Sequence, residues 1–170
     1  MIAVLGSSHS EGKTRRHLEN NTKDKSLEII DLRALNLSPY DYAHLNSDDD
    51  FLSIIEKIEE HDLIILATPV YWYSMSAFMK IFIDRLSDLL YLHKDLGRKL
   101  KGKNLLVFAT FGNAIPKGFE DPFAQTSAYF GINYLGAILL HSEPQRPGRN
   151  WTAHNENEIK RMKVILEKFS

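Results

Sequence analysis

The chain has 170 residues, 44% of them hydrophobic and 25% charged, with a formal net charge of -1 and no cysteine. So neutral a balance gives no electrostatic support to a nucleic-acid partner or to the charged docking face of a dedicated electron shuttle, and the missing thiol excludes disulfides, thiolate zinc sites, cysteine-ligated clusters and cysteine nucleophiles. The length suits one domain over 1–170, no apolar run approaches the roughly 20 residues that cross a bilayer, and the N-terminus does not read as a secretory signal, so a cytoplasmic protein is expected.

Ile2-Ala3-Val4-Leu5 is the unbroken apolar run of a buried parallel strand, which is read over 2–6. It empties into Gly6-Ser7-Ser8-His9-Ser10-Glu11-Gly12-Lys13-Thr14, a turn of hydroxyls, amides and a lysine ahead of a helix predicted over 14–20. Unpaired N–H groups and the positive end of a helix dipole make such a turn an anion site. Five residues, Ser7 to Glu11, separate its glycines, where the triphosphate-binding loop has four, so Lys13 is out of register for β- and γ-phosphates. In a dinucleotide fingerprint counted from Gly6, Ser8 and Glu11 stand where glycines belong. The turn therefore suits a terminal phosphomonoester. The alternative is a polar turn in which Ser10 or Thr14 merely caps the helix.

Residues 27–32 read as a second strand near a sheet edge, and 35–46 as a polar loop spotted with aromatics. Asp48-Asp49-Asp50 reads as the acidic start of a helix carrying Phe51, Ile54, Ile55 and Ile58 at helical spacing. Asp62 to Thr68 is the clearest buried strand and stops at Pro69. An irregular loop leads to a helix over 77–92, with Phe78, Ile81, Phe82, Leu86, Leu89 and Leu90 facing the sheet. The basic stretch Gly97 to Lys103 reads as a solvated turn before a strand over 103–110. A helix from Asp121, a strand over 132–141 and an amphipathic helix over 155–169 complete the chain. This alternation predicts a parallel sheet covered on both faces and joined by right-handed crossovers.

In such sheets ligands bind beyond the carboxyl ends of the strands, where strand order reverses. Besides the serine-rich turn, two such ends are distinctive: Thr68-Pro69-Val70-Tyr71-Trp72-Tyr73-Ser74-Met75-Ser76 and Thr110-Phe111-Gly112-Asn113-Ala114. Adjacent aromatics are costly to leave in water, and set among hydroxyls and amides they suit a planar heterocycle. The alternative is packing on the protein's own helices or on a partner subunit. A phosphate turn beside a ring-bearing loop fits flavin mononucleotide (FMN). Lys80, Asp84 and Arg85 are read as structural ion-pairing groups. The histidines have no metal-like spacing, so no metal is expected. His141 stands apart, ending a strand beside the loop 142–151, where Pro144, Arg146, Pro147, Arg149 and Trp151 are candidates for a subunit contact and Arg146 or Arg149 for a 2′-phosphate.

On these residues the chain resembles the NAD(P)H-dependent FMN reductase family of the flavodoxin-like superfamily, including its iron-sulfur-flavoprotein-like branch. The family's phosphate turn, often Gly-Ser-Pro-Arg, two variable residues and Gly-Asn-Thr, matches Gly6-Ser7-Ser8-His9 and Gly12-Lys13-Thr14, with His9 in the arginine place and Lys13 in the asparagine place. The flavin loop matches Pro69 to Ser76, continuing to Lys80, Phe82, Asp84 and Arg85. No cysteine lies in 35–46, where the branch carries its cluster ligands. The resemblance, over nearly the whole chain, implies an α/β flavodoxin-like three-layer sandwich with five parallel strands in order 2-1-3-4-5.

It also implies FMN as cofactor, with Ser7, His9, Ser10, Lys13 and Thr14 on the phosphate and Pro69, Val70, Tyr71, Trp72, Tyr73 and Ser74 bordering the isoalloxazine. Thr110, Phe111, Gly112 and Asn113 would complete the ring and ribityl contacts. NADPH or NADH is the expected co-substrate, and a flavin, quinone or azo compound the acceptor, served in two successive steps. The cofactor carries the hydride, so no catalytic side chain is required. A homodimer or higher oligomer is the expected assembly. Two other readings stay open: a single-electron carrier on the same fold, and a binding module without flavin.

Overall fold

Five apolar runs pair side by side: β1 (Ile2–Leu5), β2 (Glu28–Asp31), β3 (Leu63–Pro69), β4 (Asn104–Phe111) and β5 (Asn133–His141). All pairings are parallel and the order is β2-β1-β3-β4-β5, the flavodoxin-like order expected. The computed structural model describes residues 1–45, 48–145 and 150–169. β1 and β3 are buried along their whole length, which is why they read as continuous apolar runs, whereas edge strand β2 opens on exposed Glu28.

Successive strand residues face opposite sides. Ile2, Val4, Ile64, Leu66 and Val107 pack with Phe51, Ile55, Phe82 and Phe123, while Ala3, Leu5, Ile65 and Phe108 pack with Leu18, Met162 and Leu166. Thus α2 (Phe51–Glu59), α3 (Ala77–Arg85) and α6 (Asp121–Phe130) cover one face, and α1 (Lys13–Thr22) and α7 (Thr152–Leu166) the other. Among the described residues, no helix is long and apolar enough to cross a membrane.

The helix expected over 77–92 is broken after Arg85, where the amides of Leu86 and Ser87 turn to i−3 carbonyls at 3.2 and 3.1 Å. A single turn, α4 (Asp88–Tyr91), follows. Part of the basic stretch read as a solvated turn is helical, α5 (Lys94–Lys99). Lys99 pairs with Glu59 at 2.8 Å, and Lys103 Nζ donates to the carbonyls of Glu59 and His61 at 2.6 and 2.8 Å. The two ammonium groups therefore close the carbonyl end of α2, where cations are favoured.

Arg85, where the helix breaks, is tied to a carboxylate 36 residues away. Its guanidinium, only 2% exposed, donates to Asp88 Oδ2 at 2.7 Å, to the Ser38 carbonyl at 3.0 Å and, with both terminal nitrogens, to Asp49. It also lies over the Phe51 ring, 4.8 Å from the centroid. Asp49 accepts in turn from the amides of Ser38 and Phe51 at 3.0 Å each, and Asp50 from that of Asn36 at 2.7 Å. The acidic run is therefore a loop anchor with a buried ion network, not merely a complement to the α2 dipole. Lys80 and Asp84 pair as expected, at 2.6 Å, without Arg85.

The first two loops are joined where they leave the sheet. Ser76 Oγ accepts from the Met79 amide at 3.1 Å, capping α3, and donates to the Gly6 carbonyl, while its own amide donates to Thr68 Oγ1 at 3.0 Å. Gly6 is required here because a Cβ would stand 2.8 Å from Met79 Cβ and from its amide nitrogen. Ser76→Ala removes the cap and leaves a buried carbonyl without its donor. A loss of about 1–2 kcal/mol in chemical denaturation is the expected result.

Candidate functional site

The carboxyl ends of β1, β3 and β4 open onto one cavity of about 420 Å³. Its first wall is the serine-rich turn. Ser7 Oγ donates to the His9 carbonyl at 3.1 Å and accepts from the His9 amide at 3.2 Å, and the Gly12 amide closes the turn onto His9 O at 3.0 Å. Neither Ser10 nor Thr14 caps α1: the N-cap is Gly12, with no side-chain cap bond, and Thr14 Oγ1 instead meets Thr110 Oγ1 at 2.7 Å. The capping alternative therefore fails, because Thr14 is buried and committed across the sheet to β4.

The second wall is the aromatic loop. The Val70 amide donates to the Thr110 carbonyl at 2.8 Å, and Tyr71 exchanges backbone bonds with Ser74 at 2.9 and 3.1 Å around Trp72 and Tyr73. Both central residues have positive φ, 48° and 68°, as in the tight turn that usually takes asparagine and glycine. Tyr71 OH reaches back to Ser8 Oγ at 2.8 Å, bridging the two loops. Trp72 and Tyr73 stand at the tip, 91% and 69% exposed.

The third wall runs from Thr110 to Gly112. His141, buried at the end of β5, holds it: Nδ1 accepts from the Glu143 amide at 3.0 Å, which leaves Nε2–H to donate to the Gly112 carbonyl at 2.8 Å. Trp151 stacks on this imidazole at 5.5 Å and meets Phe111 edge-on at 5.2 Å. Arg146, Pro147 and Arg149 lie outside the described residues.

Ser7, His9, Lys13, Thr14, Pro69, Val70, Tyr71, Thr110, Phe111 and Gly112 thus line one cavity. Ser10, Trp72, Tyr73, Ser74 and Asn113 do not. Glu11, Gly12, Arg16 and Ser142 line it as well. Arg16 carried a legible signal, one helical turn beyond Lys13; Ser142 carried none, since only the pairing of β5 with β4 brings it there. Lys13 is ion-paired with Glu143, whereas Arg16 has no side-chain partner among the described residues. One end of the cavity is therefore bordered by hydroxyls, the first amides of α1 and cations, the other by the largely apolar Pro69, Val70, Tyr71 and Phe111. Among the described residues no three carboxylates or imidazoles converge as a metal site would require.

Residues 1–118 match the model of the NADPH-dependent FMN reductases. YwqN of Bacillus subtilis, assigned as an NAD(P)H-dependent FMN-containing oxidoreductase, is 33% identical over 159 residues, covering 86% of this chain and 87% of its own. Among solved structures, the Trp repressor binding protein from Bacillus subtilis superposes with a TM-score of 0.69 at 26% identity, over 94% of this chain and 96% of that one. An FMN-dependent NADH-azoreductase from Bacillus anthracis, at 11% identity, shares the fold with a TM-score of 0.69 over 98% and 97% of the two chains.

Proposed function

The chain belongs to the NADPH-dependent FMN reductase family, and we propose that FMN lies along this cavity with its phosphate in the serine-rich turn and its ring against the second and third loops. The protein is an NAD(P)H-dependent oxidoreductase of that family, and the reading adds that it works in two separate encounters, first with NADPH or NADH and then with a small acceptor such as a quinone, an azo compound or another flavin. A single observation carries it: the serine-rich turn and the largely apolar wall of the second and third loops border one continuous cavity, joined by the Ser8–Tyr71 bridge.

The residues present fit the cofactor. A phosphomonoester brings three strong acceptor oxygens, and the turn offers an α1 N-terminus that no side chain caps, the cations Lys13 and Arg16 and, once it releases the His9 carbonyl, the Ser7 hydroxyl. Pro69, Val70, Tyr71 and Gly112 would hold the ring, with the Val70 backbone fixed by its bond to Thr110. Ser10, Ser74 and Asn113 do not line the cavity, and Trp72 and Tyr73, exposed at the tip of their loop, are where a second planar molecule would meet the protein. When bound, FMN supplies the hydride-accepting and hydride-donating chemistry. The protein's part is to fix the loops in advance, so that amide dipoles already point where charge develops, and to keep water from the ring's covered face.

The test is anaerobic addition of NADPH or NADH to the FMN-loaded protein. Loss of the visible flavin absorbance is expected, followed by its return with a quinone or azo dye and by parallel double-reciprocal plots in the steady state. Flavin colour that neither nicotinamide bleaches rejects the reductase reading.

A further inference from the structure

We infer that Glu143 competes with the phosphate of FMN for Lys13, so that loading the cofactor requires this ion pair to open. The inference rests on the FMN reading of the cavity and names a residue controlling that site. Lys13 is the first residue of α1 and lines the cavity, yet its Nζ is already engaged by a carboxylate 130 positions away in the chain. Both side chains are about half exposed, at 52% and 53%.

The backbone that presents the carboxylate is fixed. The Glu143 amide donates to His141 Nδ1 at 3.0 Å, the Ser142 amide donates to the Phe111 carbonyl at 2.8 Å, and His17 Nε2 lies 3.3 Å from Ser142 O. Only side-chain rotation can move the carboxylate away. Among the described residues Lys13 and Arg16 are the ammonium and guanidinium that line the cavity, and the carboxylates of Glu11, which also pairs with Arg15 at 4.0 Å, and Glu143 stand beside them. A phosphomonoester with close to two negative charges would meet Glu143 as a like charge competing for the same ammonium. When the carboxylate rotates out, Lys13 passes from one anion to the other and is never left unpaired.

Flavin affinity of the whole protein, read from quenching of flavin fluorescence, tests this with FMN and with riboflavin, which lacks the phosphate. Glu143→Gln is expected to tighten FMN by about three- to tenfold, with less gain in high salt, and to leave riboflavin affinity unchanged. Lys13→Gln should cost more FMN affinity in the Glu143→Gln background than in the wild type, since there the ammonium is no longer held by Glu143. Unchanged or weaker FMN binding by Glu143→Gln, or equal tightening of FMN and riboflavin, overturns the proposal. A wild-type protein that binds neither flavin is a different result: it removes the FMN reading itself, and this inference with it.

Discussion

Arg85→Met is expected to lower the stability of the protein by about 3–5 kcal/mol, seen as a fall in the denaturation midpoint with little change in slope. Asp49 and Asp88 have side chains only 2% and 5% exposed, and both are ion-paired to this guanidinium. Methionine fills the volume but leaves two buried carboxylates without their cation. The loss therefore comes from stranded charge, not from a cavity, and adding Asp49→Asn and Asp88→Asn to the variant should recover much of it. A truncation effect would not be rescued in this way.

The same network sets an acid dependence. Burial alone would raise the Asp49 carboxyl, but the bonds from Arg85 and from the amides of Ser38 and Phe51 outweigh it and hold the group below its usual 3.8. A group depressed in the folded state binds its proton first in the unfolded chain. Its stabilising contribution is thus complete above about pH 5 and fades as pH falls through 3.8 and below. In Arg85→Met the Asp49 carboxylate loses the partner that resisted its protonation. The gap between variant and wild type should therefore narrow in acid, a trend that denaturation curves at pH 7 and pH 4 would expose.

That network also marks where sequence reading stopped. Leu86, Leu89 and Leu90 continue the apolar spacing of α3, so periodicity carries the helix on to 92; the tightening after Arg85 goes with its bonds to Asp88 and to Asp49, far away in the chain, which no periodicity encodes. Buried strands were legible because burial on both faces demands continuous apolar runs. Their order was not contained in those runs and came with the family resemblance. In the site, the walls built from consecutive residues, Ser7 to Thr14 and Pro69 to Tyr71, were readable as local chemistry. The turn at Trp72 and Tyr73 was not, because left-handed backbone is expected of glycine or asparagine, not of bulky aromatics. Here the Tyr71–Ser74 bonds impose it. Glu143 was equally hidden, since its place beside Lys13 follows from the β4–β5 pairing and the His141 bond rather than from any motif.

Gly12→Ala is expected to weaken FMN binding by about 30- to 150-fold, the equivalent of about 2–3 kcal/mol, with far less effect on riboflavin. Backbone conformation is not the reason: with φ −77° and ψ 177°, Gly12 is extended in a way any residue adopts. Space is the reason. A Cβ here would stand 2.8 Å from the His9 carbonyl oxygen, 3.3 Å from His9 Cβ and 3.6 Å from Ser7 Oγ. The carbonyl it strikes is the one that both the Gly12 amide and the Ser7 hydroxyl use to close the turn. Something must shift, and the flexible element is the loop, because β1 and α1 on either side are packed into the core. Opening the turn by a few tenths of an ångström shifts the first amides of α1, the donors the turn leaves to a phosphate, and hydrogen bonds to a charged acceptor are the stronger kind. Melting temperature should change little, since the strained contact lies outside the core. An equal loss for riboflavin would place the phosphate elsewhere, because only a ligand whose anion sits inside the turn is sensitive to a methyl group that touches nothing else.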